Sequence, residues 1–170
     1  MMLFRTPRLI VRRLGVADLD ALVAVYGGPE GLEFVGDGEP LPRSECERWI
    51  EVTARNYATR GYGMAAIVEA AKGSVIGFVG IVHPSGQPEP EIKYALLARA
   101  RGRGFATEAV DGMLAYAAFA LGYGRVIATI HPSNLASQRV MLKCGAQRLA
   151  TLRDADGGHT ELFVWRAEHP

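Results

Sequence analysis

The stretch "EIKYALLARARGRGFATEA", residues 91–109, organises the reading of the whole chain. Its opening alternates Ile92, Tyr94 and Leu96 against Glu91, Lys93 and Ala95, which is the period of a β-strand. Its end starts a helix, because Ala106, Ala109, Val110, Met113, Leu114, Ala117 and Leu121 recur at three and four until "GYG" (122–124) stops it. Between the two stand Arg99, Arg101, Arg103, Gly102 and Gly104. A helix N-terminus carries unpaired N–H groups and a partial positive charge, and glycine lets backbone approach a phosphate where a Cβ would intrude. Strand, loop and helix in that order have the geometry of a phosphate cradle, with arginines to add charge-assisted contacts. An ordinary solvated turn fits the same residues equally well. A P-loop is excluded by the absence of G-x-x-x-x-G-K-[ST]. A dinucleotide fingerprint is disfavoured because Thr107 stands where its third glycine belongs.

Working outward from this stretch, "RLIVRRL" (8–14) reads as a first strand and "VADLDALVAVYGG" (16–28) as a helix capped by Asp18. After a Gly/Pro-containing loop, Ser44 and Glu47 have capping-box spacing and open a second helix that Gly61 ends. "YGMAAIVEA" and "SVIGFVGIV" flank a "KG" turn as a hairpin. Downstream come the strand "RVIATIH", a short helix capped by Ser133 or Asn134 that runs through Lys143 to Gly145, and a closing hairpin around "RDADGG". No repeat or linker divides residues 1–170, which read as one mixed α/β domain.

With 22% charged residues and a formal net charge of +1, the chain gives no general electrostatic reason to bind nucleic acid or a membrane surface. Cys46 and Cys144 lack metal-ligand spacing, no set of side chains has a convincing metal pattern, and free thiols point to a cytoplasmic setting. The longest apolar run, "MLAYAAFALGY", is too short to span a bilayer, and "MMLFRTPRLIVRR" has no export signal.

"RARGRG" fits the Q/R-x-x-G-x-G/A signature of the GNAT acetyltransferase superfamily. The continuation "FATEA", with "HPSNLASQRVMLKCGA", resembles its RimJ/RimL-type branch. "TPRLIVRRL", "FVGDG", "VIGFVGI" and "EIKYALL" occur in the expected order, so the resemblance covers nearly the whole chain. It implies the GNAT fold: a single mixed seven-stranded sheet with about four helices, splayed between the fourth and fifth strands. It also implies acetyl-coenzyme A as donor and direct transfer to a primary amine, either a protein N-terminus or a small molecule, by a monomer or homodimer. A module that binds the cofactor without catalysis is the contrasting reading. Leu96 and Leu97 would pair with the pantetheine arm. Amides from Arg99, Gly102, Gly104, Phe105, Ala106 and Thr107 would hold the pyrophosphate, with Asn134 and Ser137 beside the arm and sulfur. The chain departs from the pattern at Arg101, where an aromatic is common, at Ala146, where phenylalanine is usual, and at Met141, where many members carry an acidic tyrosine.

Aminolysis of a thioester needs a neutral amine and a proton for the departing thiolate, and proximity supplies much of the acceleration. Glu91, on the central strand, is the first candidate base, and Glu161, on the last strand, is the second. Ser137, in the first turn of its helix, is the candidate acid. Phe34, Trp49 and Tyr57 are candidates to line the acceptor pocket, since the early helices and their loop border it in this fold.

Overall fold

The computed structural model describes residues 1–28 and 40–167. Chain order is β1 (Met2–Arg5), β2 (Leu9–Arg13), α1 (Leu19–Tyr26), α2 (Arg43–Arg60), β3 (Met64–Glu69), β4 (Ser74–Val82), β5 (Glu91–Leu96), α3 (Phe105–Leu121), β6 (Arg125–Ile130), α4 (Leu135–Lys143), β7 (Gln147–Arg153) and β8 (His159–Arg166). The strands form one eight-stranded sheet in the order β1-β2-β3-β4-β5-β6-β8-β7. Every pairing is antiparallel except β5 with β6, which is parallel and registers only Glu91 opposite Ile127.

The sequence reading expects seven strands, and β1 is the eighth. It is short, and a tertiary contact holds it in place. Phe4 lies over Gly112 of α3, where a Cβ would come within 2.5 Å of the ring, and tilts against Tyr116 with centroids 6.0 Å apart. Glycine inside a helix costs about 1 kcal/mol, so this seat for Phe4 offsets a local penalty.

Period-two alternation sends successive side chains to opposite faces of the sheet. On one face, Leu9, Val11, Ile67, Ile76, Ile81, Ile92, Leu96, Val126, Ala128 and Phe163 meet the apolar stripe of α3 and Met141 of α4. On the other face, Ala66 and Phe78 meet Leu22, Val25 and Tyr26 of α1 and Cys46 and Ile50 of α2.

Helix ends follow the sequence signals in part. Gly61 and Gly145 close their helices at φ 81° and 82°, and Asn134 caps α4 by accepting from the Ser137 amide at 3.1 Å. Two expected caps do not form. α2 starts at Arg43, after Pro42, without a side-chain cap, so Ser44 already lies inside the helix and its spacing to Glu47 closes no box. Asp18 makes no cap to α1. Its carboxylate instead accepts from both terminal nitrogens of Arg12 at 2.8 and 2.7 Å and from the Gly15 amide at 2.9 Å, at 3% exposure.

Burial alone would raise the Asp18 carboxyl, but the Arg12 and Gly15 hydrogen bonds outweigh it and hold it below the ordinary value. A lowered carboxyl stabilises the fold fully above its unfolded pKa and loses that contribution as pH falls through the folded one. Asp18→Asn is therefore expected to cost about 2 kcal/mol at neutral pH. It should also flatten the acid limb of a stability–pH curve measured by urea unfolding.

Candidate active site

At the top of the sheet, the loop after β5 turns under Ala100, which is 1% exposed, and reaches α3 through Gly102 and Gly104 at φ 70° and 79°. Those left-handed conformations suit glycine, and they aim the loop backbone outward. The Arg101 amide is spent on Ala98 O at 3.1 Å, and the Glu108 amide on Gly104 O at 3.1 Å. Among the described residues, no protein acceptor takes any amide between them, from Gly102 through Thr107. This run, at the positive end of a helix, has the donors and the dipole direction that suit an anion.

A clamp that the sequence reading missed keeps the loop in shape. Glu108, in the first turn of α3, accepts from Thr6 Oγ1 at 2.5 Å, from the Arg8 amide at 2.9 Å and from Arg8 Nε at 2.6 Å. Arg8 also donates to Arg103 O at 2.9 Å, so the β1–β2 turn grips both ends of the cradle. Burial would raise the Glu108 carboxyl, and these donors hold it down instead.

The three loop arginines have separate fates. Arg103 lies over the Phe105 ring at 4.6 Å and pairs with Glu69 at 3.2 Å. Arg101 donates through Nε and a terminal nitrogen to Leu96 O at 3.2 and 3.0 Å. Arg99 is exposed.

Below the cradle, β5 and β6 part. The Ile127 amide still donates to Pro90 O at 2.9 Å, but above Glu91 the strands have no further register. The Leu97 amide goes to Ile76 O at 2.9 Å. Hydrogen-bonded pairs recur at every second residue of an antiparallel ladder, so the main-chain groups of Ile92, Tyr94 and Leu96 point away from β4, into the cleft. The structure thus separates the two leucines named from sequence. Leu96 faces the cleft, although Arg101 holds its carbonyl, whereas the Leu97 amide belongs to the sheet.

The side chains at the cleft divide by face. On the α1–α2 face, Glu91 is 2% exposed. It accepts from Gln87 Nε2 at 2.9 Å and from Thr129 Oγ1, and it pairs with Lys93 Nζ. Lys93 Nζ donates in turn to Thr129 Oγ1 at 3.1 Å, which closes a three-member bridge across the cleft. Trp49 stands edge-on to Tyr26 with centroids 5.1 Å apart and packs in the cluster that holds Ala95 and Leu97, which puts it on this face.

On the α3–α4 face, the Tyr94 hydroxyl donates to Ser137 O at 3.2 Å, and burial pushes that phenol up to about 12. The Ser137 side chain is half-buried beside it. Glu161 registers opposite Ile130, whose side chain lies in the α3 core, so it shares this face. Thr151 Oγ1, at 3.1 Å, and Arg148, at 3.6 Å, are its partners. The two candidate bases therefore stand on opposite faces of the sheet and cannot act as one pair.

Tyr57 lies elsewhere, under the Arg13 guanidinium at 4.4 Å. Arg13 belongs to β2, which is three strands from the cleft at about 4.8 Å per strand. Phe34 falls outside the described residues. Met141, at the place of the family tyrosine, is 0% exposed in the core and contributes no acid. A 630 Å³ depression lined by Gln147, Leu149, Val164 and Arg166 includes none of these site residues. Among the described residues, no group of His, Cys, Asp or Glu could hold a metal ion, and no helix is long and apolar enough to cross a membrane.

A strand pair that opens beneath a run of unspent amides, with an amine, a carboxylate and hydroxyls at its vertex, is the arrangement expected of a transferase of acyl groups from coenzyme A thioesters. The chain belongs to the GNAT acetyltransferase family: the model of the acetyltransferase (GNAT) domain matches residues 8–147. The uncharacterized N-acetyltransferase YoaA of Bacillus subtilis (strain 168) is 28% identical over 153 residues, covering 89% of this chain and 86% of its own. RimL, a ribosomal L7/L12 alpha-N-protein acetyltransferase solved with coenzyme A, superposes with a TM-score of 0.83 over 98% of both chains at 15% identity. The spermidine N-acetyltransferase of Vibrio cholerae, solved with coenzyme A and spermine, superposes with a TM-score of 0.78 at 15% identity, over 95% of this chain and 96% of its own. The protein is a GNAT-family N-acetyltransferase, with acetyl-coenzyme A as co-substrate.

Proposed function

We propose that the amides from Gly102 through Thr107 hold the cofactor pyrophosphate and that the pantetheine descends the cleft along Tyr94 and Leu96, displacing Arg101 from the Leu96 carbonyl. Arg99 adds charge at the rim, and Asn134 and Ser137 border the arm. The run of unspent amides carries this reading, because consecutive donors with no protein acceptor at a helix N-terminus match the several oxygens of a pyrophosphate. The acceptor amine approaches from the Trp49 face and gives its proton to Glu91. Ser137, on the opposite face, donates to the leaving thiolate, and Glu161 orders the polar surroundings of that side.

The acceptor class that fits best is the α-amine of a peptide or protein, in a cytoplasmic setting. The resemblance to the RimJ/RimL-type branch supports it, and so does Lys93, whose ammonium beside Glu91 repels a polyamine. Thiol release with short peptides and with spermidine as acceptors tests this reading. The expected result is a kcat/KM preference for peptides of about tenfold or more, the worth of one unfavourable charge contact at a partly exposed site. A preference for spermidine would assign the enzyme to small amines instead.

A further inference from the structure

The chain contains three lysines, Lys72, Lys93 and Lys143. Lys72 is 60% exposed and pairs with Glu69 at 3.1 Å, and Lys143 is exposed at the end of α4. Lys93 differs from both. It projects from β5 on the α1–α2 face and reaches across the cleft, so its Nζ touches Glu91 and Thr129. An amine held against the carboxylate assigned as base, at the vertex of the cleft, has the geometry of a bound acceptor.

We propose that Lys93 is itself an acceptor, taking one acetyl group from acetyl-coenzyme A bound to the same chain. This rests on the reading that the cofactor arm fills the cleft. Reaction requires the ammonium to lose a proton, and the hydrogen bonds provide the path: Nζ donates to Thr129 Oγ1 at 3.1 Å, and Thr129 Oγ1 donates to Glu91. The freed Nζ lone pair attacks the thioester carbonyl, the C–S bond breaks, and the sulfur leaves as thiolate, which takes up the second proton that the nitrogen loses on becoming an amide and so forms coenzyme A. The products are Nε-acetyl-Lys93 and free thiol, and the proton on Glu91 passes to solvent. Lys93 is 42% exposed, so its side chain has room to swing towards the thioester. The neutral amide no longer pairs with Glu91, so the carboxylate is released for an incoming amine, and the charge that repels a polyamine belongs to the unacetylated enzyme alone.

The test is incubation of the purified protein with deuterated acetyl-coenzyme A, followed by peptide mass mapping after intact mass has established how much Lys93 starts free. The expected result is one labelled acetyl on Lys93, arriving about a hundredfold faster than on Lys72 or Lys143 because the reactants are held together. The rate should not change when the protein is diluted at saturating acetyl-coenzyme A. Lys93→Arg should lose the label, and Glu91→Gln, assayed at a temperature where its melting curve shows it folded, should slow it. An acetyl already on Lys93 alone in the wild type, and missing from Glu91→Gln, also supports the proposal. Equal labelling of all three lysines, a rate that falls on dilution, or a free and unlabelled Lys93 in protein shown by calorimetry to hold acetyl-coenzyme A would each overturn it. Absence of acetyl-coenzyme A binding would bring down the donor-site reading and this inference with it.

Discussion

Replacing Gly104 by glutamate is expected to raise the dissociation constant for acetyl-coenzyme A by at least about a hundredfold, close to 3 kcal/mol. Two effects combine. Gly104 sits at φ 79°, where a non-glycine residue costs about 1–2 kcal/mol, so the loop shifts away from the shape that aims its amides. The new carboxylate would also lie among the amides from Gly102 through Thr107, where it satisfies some of them and repels the incoming pyrophosphate. Gly104 is exposed, and a Cβ there meets only Arg8, at 3.3 Å, so the core is untouched and the variant should stay folded, with its melting temperature lowered by only a few degrees. Calorimetric titration of wild type and variant side by side reads the difference. Equal affinity in the two proteins would remove the cofactor from this loop.

Glu91→Gln is expected to lower kcat by about a hundredfold to a thousandfold while leaving the KM for acetyl-coenzyme A unchanged, the usual worth of a general base. The split follows from position. The glycine loop lies above the open end of the cleft, whereas Glu91 sits at its closed end on the α1–α2 face, registered opposite Ile127. Glutamine keeps the volume and an acceptor oxygen for Thr129 but cannot take a proton. Lys93, which loses its ion pair, is 42% exposed and can be solvated. Steady-state kinetics on a peptide acceptor, with the thermal midpoint checked, decides the matter. Full kcat in the variant would leave proximity and solvent as the whole catalytic account.

Much of this site could be read from residues 91–109 because its determinants are local. A strand period, a glycine pair and a helix start lie within one short segment, and amide direction follows from backbone conformation there. For the same reason the spacing of Asn134 and Gly145 located α4. Local signals misled where another partner or an earlier helix start won. Asp18 has the chemistry of an N-cap, but bidentate pairing with Arg12 of β2 takes both its oxygens. Ser44 has the right spacing to Glu47, but the helix begins one residue earlier, at Arg43.

The sequence by itself determined the order of elements from β2 onward, the glycine loop between β5 and α3 and, through the family resemblance, the reaction type, since each rests on segments whose backbone geometry is encoded within a few residues. Only the tertiary structure decided which groups share a face. Glu91 and Glu161 both read as candidate bases along the chain, but strand alternation and register place them on opposite sides of the sheet. Lys93 bridges to Thr129, and Thr6 and Arg8 clamp Glu108, across separations in sequence that no local pattern records. The physical reason is that charge pairing and hydrogen bonding act over a few ångströms of space, and the packing of the whole sheet sets which residues come that close.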